Sequence, residues 1–562
     1  MKDIRPAQTE HAHPVATQPA DDQGRIILSL RIGITGHRDI TCDHPGLVTE
    51  IANAVEYITE LLATDPDRVR SGDTVLTAVS SLAEGVDRLV ADEILKREGT
   101  RLEIVLPLPV EEYCRDFGSQ ESVDRFNEFR QRHDTITDIV RTAGPREKAY
   151  ELAGRAVVDR SDVMIVVWDG EPARGRGGTA EIYSYAQRWQ KPILLISIDA
   201  NSAKLNTDRL PRMAKGKTPL SPESMKRLDE YNKVLLPKAA FDTSPPLLNL
   251  DDPRSPHWLQ SSAQLTDHVS HYFARADLLA ERFQHRWYLV TRLLYTLAPL
   301  AVLVVAAQVT FAPDRVRFAW FEFAILVVII MMLIVARRAR WHQHWVSARY
   351  LAEQLRSLMF LGLTGVVTLE KSVAAADHQA DDESSWAERA ANEIWFSRPR
   401  YVPPADISLV IRVLYKEWIK KQQEYHSHVS RKYRSLSTRF QAAAIGLFGL
   451  SALAALLHSL GVLSTVTERG VTEPFKWWDF LAIAIPGVAA ALGGYGAQRD
   501  YLRHAERSKL FASTLESAAD RLLTAGSLED VQQAALSVSR AMRSEATDWY
   551  TVVHSRDVEV PS

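Results

Sequence analysis

The sequence predicts an α/β domain built on a mostly parallel sheet, followed by an all-α membrane domain with four transmembrane helices. Short apolar runs alternate with helix-like patterns over residues 25–200. Four long, nearly uncharged runs follow in the C-terminal half. The length of 562 residues also exceeds that of one ordinary domain, so we expect several structural units.

Five segments of the first region have the composition of buried strands. They are RIILSLRIGI, DTVLTAVSS, LEIVLPLP, DVMIVVW and PILLISI. Between the first two strands, apolar residues recur at helical spacing at Leu47, Ile51, Val55, Ile58 and Leu62. Between the second and third, the same pattern appears at Val86, Leu89, Val90 and Ile94. Strands that alternate with helices predict crossover units and a parallel sheet covered on both faces.

Two polar segments flank this domain. Residues 1–24 are rich in Pro, Ala, Gln, Asp and His and lack the apolar core of a signal peptide, so they are predicted to form a disordered tail. Residues 201–256 are polar and proline-rich around one helical pattern, SPESMKRLDEYNKVLL. We interpret this second segment as a connector that lies against the α/β domain.

Four apolar runs predict transmembrane helices. They are Leu293–Ala312, Phe318–Ala336, Ala442–Leu460 and Phe480–Ala497. The first is an uncharged run of about 20 residues, which as a helix spans about 30 Å, the thickness of a hydrocarbon core. A buried soluble helix of this length would normally carry a polar stripe, and these runs carry none.

Basic residues predict the orientation of the spans. Arginines and lysines cluster before the first and third runs and after the second and fourth, whereas the two intervening turns contain few. The positive-inside rule therefore places both termini in the cytoplasm. Each hairpin is followed by a long amphipathic helix, which indicates two copies of one unit, over residues 257–361 and 406–562, joined by a cytoplasmic link over residues 362–405.

Bulk composition excludes several classes of function. Lys and Arg number 67 against 70 Asp and Glu, and the net charge of −3 argues against a nucleic-acid partner. The two cysteines, Cys42 and Cys114, have no metal-ligand spacing and favour a reducing compartment. His342 and His344 lack a set of partner ligands, so no metal site is predicted and membrane-interface packing is the expected role of these histidines.

Three glycine-containing stretches are predicted to meet at one edge of the sheet. GITGHR follows the first strand, SSLAEGVDRLV the second, and WDGEPARGRGGTAEIYSYA the fourth. Ligands of open parallel sheets bind beyond the carboxyl ends of the strands, where glycine allows close approach and helix N-termini attract anions. Arg174 and Arg176 could neutralise a phosphate there. Each stretch alone is more typical of a plain turn; the three together predict a ligand site.

These motifs resemble the SLOG superfamily, a Rossmann-like fold shared by the DNA-processing protein DprA and the cytokinin-activating LOG enzymes. IGITGHRDI, SSLAEGVDRLVADEIL, IVLPLPVEEYCRDF and DVMIVVWDGEPARGRGGTAEI match one bacterial branch in order, over roughly residues 28–198. The resemblance implies a bound nucleotide or nucleotide-derived ligand. The hairpins resemble SLATT-type units, two-span membrane modules found with nucleotide sensors in bacterial conflict systems.

The resemblance implies a set of ligand contacts in the three loops. They are Gly33, Thr35, Gly36 and Arg38 in the first loop, Ala83, Glu84, Gly85 and Asp87 in the second, and Asp169, Gly177, Gly178, Thr179 and Glu181 in the third. LOG enzymes carry a longer Pro-Gly-Gly-x-Gly-Thr-x-x-Glu stretch, whereas this chain has only GRGGTAE. A catalytic role of Glu181 therefore does not transfer directly, although GTAEIYSYA is also similar to the pattern around the nucleophilic glutamate of nucleoside deoxyribosyltransferases.

Three hypotheses of function follow. The first is a multi-pass protein of the bacterial inner membrane whose cytoplasmic nucleotide sensor controls a four-span effector. In this hypothesis the effector is a homo-oligomer that rearranges or opens a pore in a defence system. The second is a membrane-anchored N-glycosidase or nucleotide-processing enzyme, with Glu181 acting and Asp169 or Arg38 assisting. The third is a non-catalytic membrane scaffold.

Overall fold

The computed structural model describes residues 23–62, 74–132, 135–139, 145–172, 177–206, 222–250, 256–366, 382–399, 401–466, 472–473 and 475–554. These residues fall into two compact units. Unit 1 contains the described residues up to Arg275 and those between Gly365 and Tyr401. Unit 2 contains Ala276–Thr364 and the described residues from Val402 onward. The predicted disordered tail over residues 1–24 lies almost wholly outside the described residues.

A seven-stranded sheet forms the centre of unit 1. Its strands are β1 (Leu28–Thr35), β2 (Thr74–Ser80), β3 (Arg101–Leu106), β4 (Thr135–Ile139), β5 (Val163–Trp168), β6 (Ile193–Ile198) and β7 (Ala203–Asn206). They lie in the order β4-β3-β2-β1-β5-β6-β7. Each neighbouring pair is parallel except β6 and β7, which are antiparallel. The predicted α/β domain with a mostly parallel sheet is confirmed, and β4 and β7 are additional to the five predicted strands.

Helices cover both faces of this sheet. They are α1 (Leu47–Leu62), α2 (Val86–Leu95), α3 (Val110–Tyr113), α4 (Gln120–Gln131), α5 (Arg146–Arg160) and α6 (Thr179–Arg188). The alternation of β5 shows how the two layers arise: Val163 and Ile165 join the core with α1 and α2, whereas Met164 and Val166 join the core with α5 and α6. Because both faces are buried, the strands read as continuous apolar runs.

The remaining helices of unit 1 pack around this domain. They are α7 (Pro222–Lys233), α8 (Lys238–Thr243), the first turns of α9 (Ala263–Phe311), and α12 (Asp382–Phe396). Asn232 of α7 donates to the Ile26 carbonyl at 2.8 Å, so the described part of the connector does lie against the α/β domain.

The helix α12 belongs to unit 1, although its sequence lies in the predicted link over residues 362–405. Trp386 and Trp395 are buried in it, and Arg389 donates to Asp162 at 2.9 Å. Residues 382–399 of the predicted link therefore belong to unit 1, which also extends to Arg275, beyond the predicted connector over residues 201–256. Helix α12 belongs to unit 1 because it buries an apolar and charged face there.

The described part of unit 2 is helical apart from one short ribbon, Thr465–Val466 paired with Thr472–Glu473. Its helices are the rest of α9, α10 (Ala319–Arg338), α11 (Trp341–Gly362), α13 (Ile407–Val413), α14 (Lys421–Ser459), α15 (Lys476–Arg499), α16 (Tyr501–Leu523) and α17 (Leu528–His554). A π-helical segment, Leu414–Lys420, joins α13 to α14.

Among the described residues, four helical segments are long and apolar enough to cross a membrane. They are His257–Phe311, Ala319–Gly362, Ile407–Ser459 and Lys476–Leu523, and they cover the four predicted apolar runs to within one residue. Large apolar side chains on them are exposed, among them Ile330 at 55% and Ile445 at 73%. Exposure of this extent is costly in water and favourable in lipid. The chain is therefore a membrane protein with an α/β domain outside the spans.

The same turn follows each hairpin. Between α10 and α11, Arg340 has a left-handed backbone with φ of 48°; between α15 and α16, Asp500 has φ of 43°. Each turn ends an apolar span and begins an amphipathic helix, which supports the predicted repeat of a hairpin-plus-helix unit. Glycines also permit close packing in the second copy: a Cβ at Gly494 would lie 3.1 Å from the Tyr295 ring.

Candidate functional site at the carboxyl edge of the sheet

The strand order reverses between β1 and β5, which are neighbours in space although three strands separate them in the chain. Their parallel register brings Thr35 beside Val166, so both strands end at the same edge. The loops that follow must leave in opposite directions and open a crevice between them, as open α/β sheets do where they bind ligands. We describe the contacts of these loops in turn.

The first and second loops contact each other directly. The amide of Val86, the first residue of α2, donates to the His37 carbonyl at 3.3 Å. Gly85 makes this approach possible because its φ is +79° and an added Cβ would lie 2.4 Å from the Arg38 carbonyl oxygen. Gly36 packs equally closely, since a Cβ there would lie 2.4 Å from Val86 Cγ1. One donor at the N-terminus of α2 is thus already used by the protein.

The first loop also contacts the loop after β5. His37 Nε2 lies 3.1 Å from Asp169 Oδ1, and both side chains are partly exposed. The Glu171 amide donates to the same Asp169 oxygen at 3.0 Å, which orients the carboxylate. His37 is therefore the side chain that joins the two strand ends.

Tyr150 of α5 is a common neighbour of the first loop and the glycine turn before α6. Arg38 is an exposed residue, and its guanidinium lies over the Tyr150 ring, 5.2 Å from the centroid. Gly177 lies against its backbone: φ is +79°, and a Cβ would be 2.8 Å from the Tyr150 carbonyl carbon. The two loops are thus brought to one side of α5. The loops after β1, β2 and β5, which are the first, second and fourth predicted strands, therefore all meet.

The glutamate of the GTAE stretch has a structural role in this arrangement. Gly178 is the N-cap of α6, and the Gly177 amide donates to Glu181 Oε2 at 2.8 Å. Glu181 thus reaches back across the helix start in the manner of a capping box. Thr179, the first residue of the helix, is buried. Arg155 approaches the other Glu181 oxygen at 3.8 Å.

Two carboxylates of the second loop face the protein instead of the open edge. Asp87 is buried and accepts from Ser80 Oγ at 2.8 Å. Burial raises the pKa of Asp87 to about 6, although its bonds from Ser80 and from the Ala83 backbone oppose this rise. Glu84 accepts from the Gly118 amide at 3.0 Å and from the Ser122 hydroxyl, so it orders the segment after β3.

The remaining predicted residues have mixed positions. Gly33 lies within β1, where a Cβ would lie 2.1 Å from Ser161 Oγ, so this glycine serves strand packing and not the loop. Thr35 ends β1, and Ala83 lies in the second loop. Arg174 and Arg176 lie outside the described residues. No group of three metal-binding side chains occurs within the part of the chain that the structure describes.

Sequence reasoning missed a polar cluster on the segment after β3. Asp116 accepts from Arg146 and from the Tyr150 hydroxyl, and the Tyr113 hydroxyl donates to the Ser81 carbonyl at 3.1 Å. Hydrogen bonds from Arg146 and Tyr150 outweigh desolvation and lower the pKa of Asp116. The sequence contains a signal for this cluster, because VEEYCRDF follows β3 and the carboxyl end of β3 lies at the same edge of the sheet.

The arrangement can do two things chemically. Arg38, an exposed residue, supplies a cation whose guanidinium lies over the Tyr150 ring, with His37 and Arg146 near it, and glycine turns bring backbone close to the same edge. Such a set suits recognition of an anionic group better than acid–base catalysis, because the one candidate catalytic carboxylate, Glu181, holds a backbone amide. Comparisons with protein-family models, curated proteins and solved structures found no match for this chain.

Proposed function

We propose that the sheet edge binds a nucleotide or a nucleotide-derived molecule through its phosphate, and that this binding controls the four-span membrane unit. One observation carries the proposal: the turns after β1, β2 and β5 meet where the strand order reverses, with His37 bonded to both neighbours. Parallel sheets bind phosphorylated ligands at such positions. The resemblance to SLOG proteins adds the expectation of a nucleotide.

The proposal extends to the membrane. The excess of basic residues beside the inner ends of the spans supports an orientation with both termini in the cytoplasm of a bacterial cell. The resemblance to SLATT units supports an effector role, in which homo-oligomeric spans rearrange or open a pore as part of a defence response. A ligand drives such a change only by binding one arrangement more tightly than the other.

Binding is the first test. The full chain in detergent is titrated with a panel of mononucleotides and cyclic or linear oligonucleotide messengers, and bound ligand is measured by calorimetry. The matched variants are Arg38→Gln, which removes the guanidinium at the edge, and Arg132→Gln, an exposed arginine just before β4 at the opposite end of the sheet. We expect about 10- to 100-fold weaker binding for Arg38→Gln only.

Permeability is the second test. The full chain is placed in liposomes that contain a self-quenching dye, and dye release is followed with and without the nucleotide that binds. Ligand-dependent release that Arg38→Gln abolishes supports the sensor–effector proposal. Binding of no nucleotide in the panel contradicts the sensor, and binding without any change in the membrane unit contradicts the coupling.

A further inference from the structure

Unit 2 contains a cavity of about 370 Å³, a volume typical of a small-molecule site. Its wall is formed by α9, α11, α14, α16 and α17 and by the last turn of α15. None of the residues predicted to bind a ligand lies in it. The cavity is therefore a second candidate site, separate from the sheet edge.

The cavity lies where the four apolar runs end. Thr291 precedes the first run, His342 follows the second, Tyr433 precedes the third, and Gln498 follows the fourth; all four residues line the cavity. These ends are the ones rich in basic residues. In a bilayer they lie at the depth of the lipid headgroups, where phosphate is the most abundant anion.

One of the three arginines in the wall lacks a carboxylate. Arg349 pairs with Glu353 at 2.7 Å, and Arg507 pairs with Glu545 at 3.1 Å. Arg499 instead lies on the face of Tyr288, 3.8 Å from the ring centroid, and among the described residues no carboxylate comes within ion-pair distance of it. Arg499 is only partly exposed. The third acidic residue of the wall, Glu281, is exposed to solvent. The positive charge of Arg499 is therefore the one left without an opposite charge.

Aromatic side chains form most of the apolar wall. Trp345 contacts Tyr288 and Trp549 edge to face, with ring centroids 5.3 Å and 5.7 Å apart. The rings of Trp287 and His342 are tilted to each other, with centroids 4.5 Å apart. The predicted interface histidine is thus a part of this wall. Rings of this kind accommodate planar or acyl groups while the polar end of a ligand reaches the arginine.

We infer that this cavity binds an organic phosphate, with the phosphate on Arg499 and the apolar part of the ligand among the tryptophan and tyrosine rings. The chemistry is shared by two sources, the headgroup of an anionic phospholipid and a soluble nucleotide. The site does not depend on the proposed function of the sheet edge, since the two share no residue.

The test uses the full chain purified in a neutral detergent, with ligand binding followed by the shift of thermal unfolding. The probes are dihexanoyl phosphatidic acid, dihexanoylglycerol as its analogue without phosphate, and adenosine monophosphate. The variants are Arg499→Gln and, as a control, Arg439→Gln, an exposed arginine close to the third span that does not line the cavity. We expect phosphatidic acid to bind and dihexanoylglycerol not to bind, and Arg499→Gln to weaken the phosphate-bearing ligand about 10- to 100-fold.

Several outcomes overturn the inference. They are equal binding of both diacyl probes, unchanged affinity in Arg499→Gln, and an equal loss in Arg439→Gln, which would indicate non-specific attraction to a basic surface. If Arg499→Gln does not fold, Ala546→Leu replaces it, because Ala546 is buried in the wall and the added carbons fill the cavity. Unchanged binding in Ala546→Leu also contradicts the site. Nucleotide binding that persists in Arg38→Gln and is lost in Arg499→Gln identifies the soluble source and separates this cavity from the sheet edge.

Discussion

Arg31 of the central strand β1 pairs with Glu393 of α12, with Nη2 and Oε1 3.3 Å apart, although 362 residues separate them in the chain. Both side chains are buried, and Arg31 also pairs with Glu103 of β3. Strand β1 is the strand that leads to His37 and Arg38. Arg31 contacts α12, the part of unit 1 that lies, in sequence, between the two membrane hairpins. This pair therefore joins the strand of the candidate site to the segment that connects the halves of unit 2.

Glu393→Gln tests how firmly α12 is held. Removing one partner of a buried ion pair leaves the other charge without full compensation, and Arg31 keeps Glu103 and Asp162 as its opposite charges. We expect the free energy of local opening of α12 to fall by about 2 to 3 kcal/mol. Hydrogen exchange of peptides covering Asp382–Phe396, measured on the full chain in detergent, reports it. Asn392→Ala, at an exposed position of the same helix, should change it by less than about 0.5 kcal/mol; equal protection in both variants contradicts the prediction.

Asp87 makes stability depend on pH. Its folded-state pKa of about 6 exceeds the ordinary value of 3.8, so the folded state keeps the proton between about pH 4 and pH 6 while the unfolded state loses it. The contribution is therefore most favourable below this window and is lost as pH rises through it, by about 3 kcal/mol for a shift of about two units. In Asp87→Asn this part of the dependence should be absent. Denaturant unfolding at pH 4.5 and pH 7.5 measures the change in unfolding free energy with pH. An equal change in the unchanged chain and in Asp87→Asn contradicts the prediction.

Gly85 and Gly99 form a matched pair for the loop contact. Both have positive φ, but a Cβ at Gly99 meets nothing within 4 Å, whereas at Gly85 it would lie 2.4 Å from the Arg38 carbonyl oxygen. We expect Gly99→Ala to cost about 1 kcal/mol, from backbone strain alone. Gly85→Ala should cost roughly 3 kcal/mol and move the first loop off α2. Thermal unfolding of both variants, together with nucleotide binding, tests this; similar losses in the two variants mean that the contact is unimportant.

Much of unit 1 could be predicted because its signal is local. Continuous apolar runs such as the one over Val163–Trp168 predict buried strands, and the strand ends place the glycine loops at one edge. The strands β4 and β7 lack such runs, since TITDI and AKLN mix polar and apolar residues at the sheet margins. Their pairing depends on neighbours far along the chain and not on their own composition.

The parts of the site that sequence reasoning missed depend on tertiary contacts. Nothing local shows that Tyr150 of α5 reaches both Arg38 and Gly177, or that Asp87 is buried and bonded to Ser80. The charge pattern of α12 is that of an ordinary exposed helix until Arg31 is placed opposite Glu393. The cavity in unit 2 brings together six helices whose residues lie far apart in the chain, so no motif indicates it.

Substitutions at Glu181 distinguish a binding role of the sheet edge from a catalytic role. If its carboxylate serves mainly to accept the Gly177 amide, Glu181→Gln retains an acceptor at the same place and nucleotide affinity should stay within about 3-fold. Glu181→Ala loses the acceptor and should destabilise the start of α6 by about 1 kcal/mol. Chromatography of incubated nucleotides detects any free base. Base release by the unchanged chain that disappears in Glu181→Gln would instead support the N-glycosidase hypothesis.

The orientation of the spans is testable with cysteines. In the proposed topology the turn between α9 and α10 and the turn between α14 and α15 face outward, while unit 1 lies in the cytoplasm. Asp314 and Leu463 are exposed in these two turns, and the native Cys42 is exposed in unit 1. A maleimide that cannot cross membranes should therefore label Asp314→Cys and Leu463→Cys in intact cells, because only those thiols face the reagent. Cys42 should react only after the membrane is opened, which makes it the internal control within the same chain. Labelling of Cys42 in intact cells, with both turn cysteines protected, would invert the topology and place the candidate nucleotide site outside the cytoplasm.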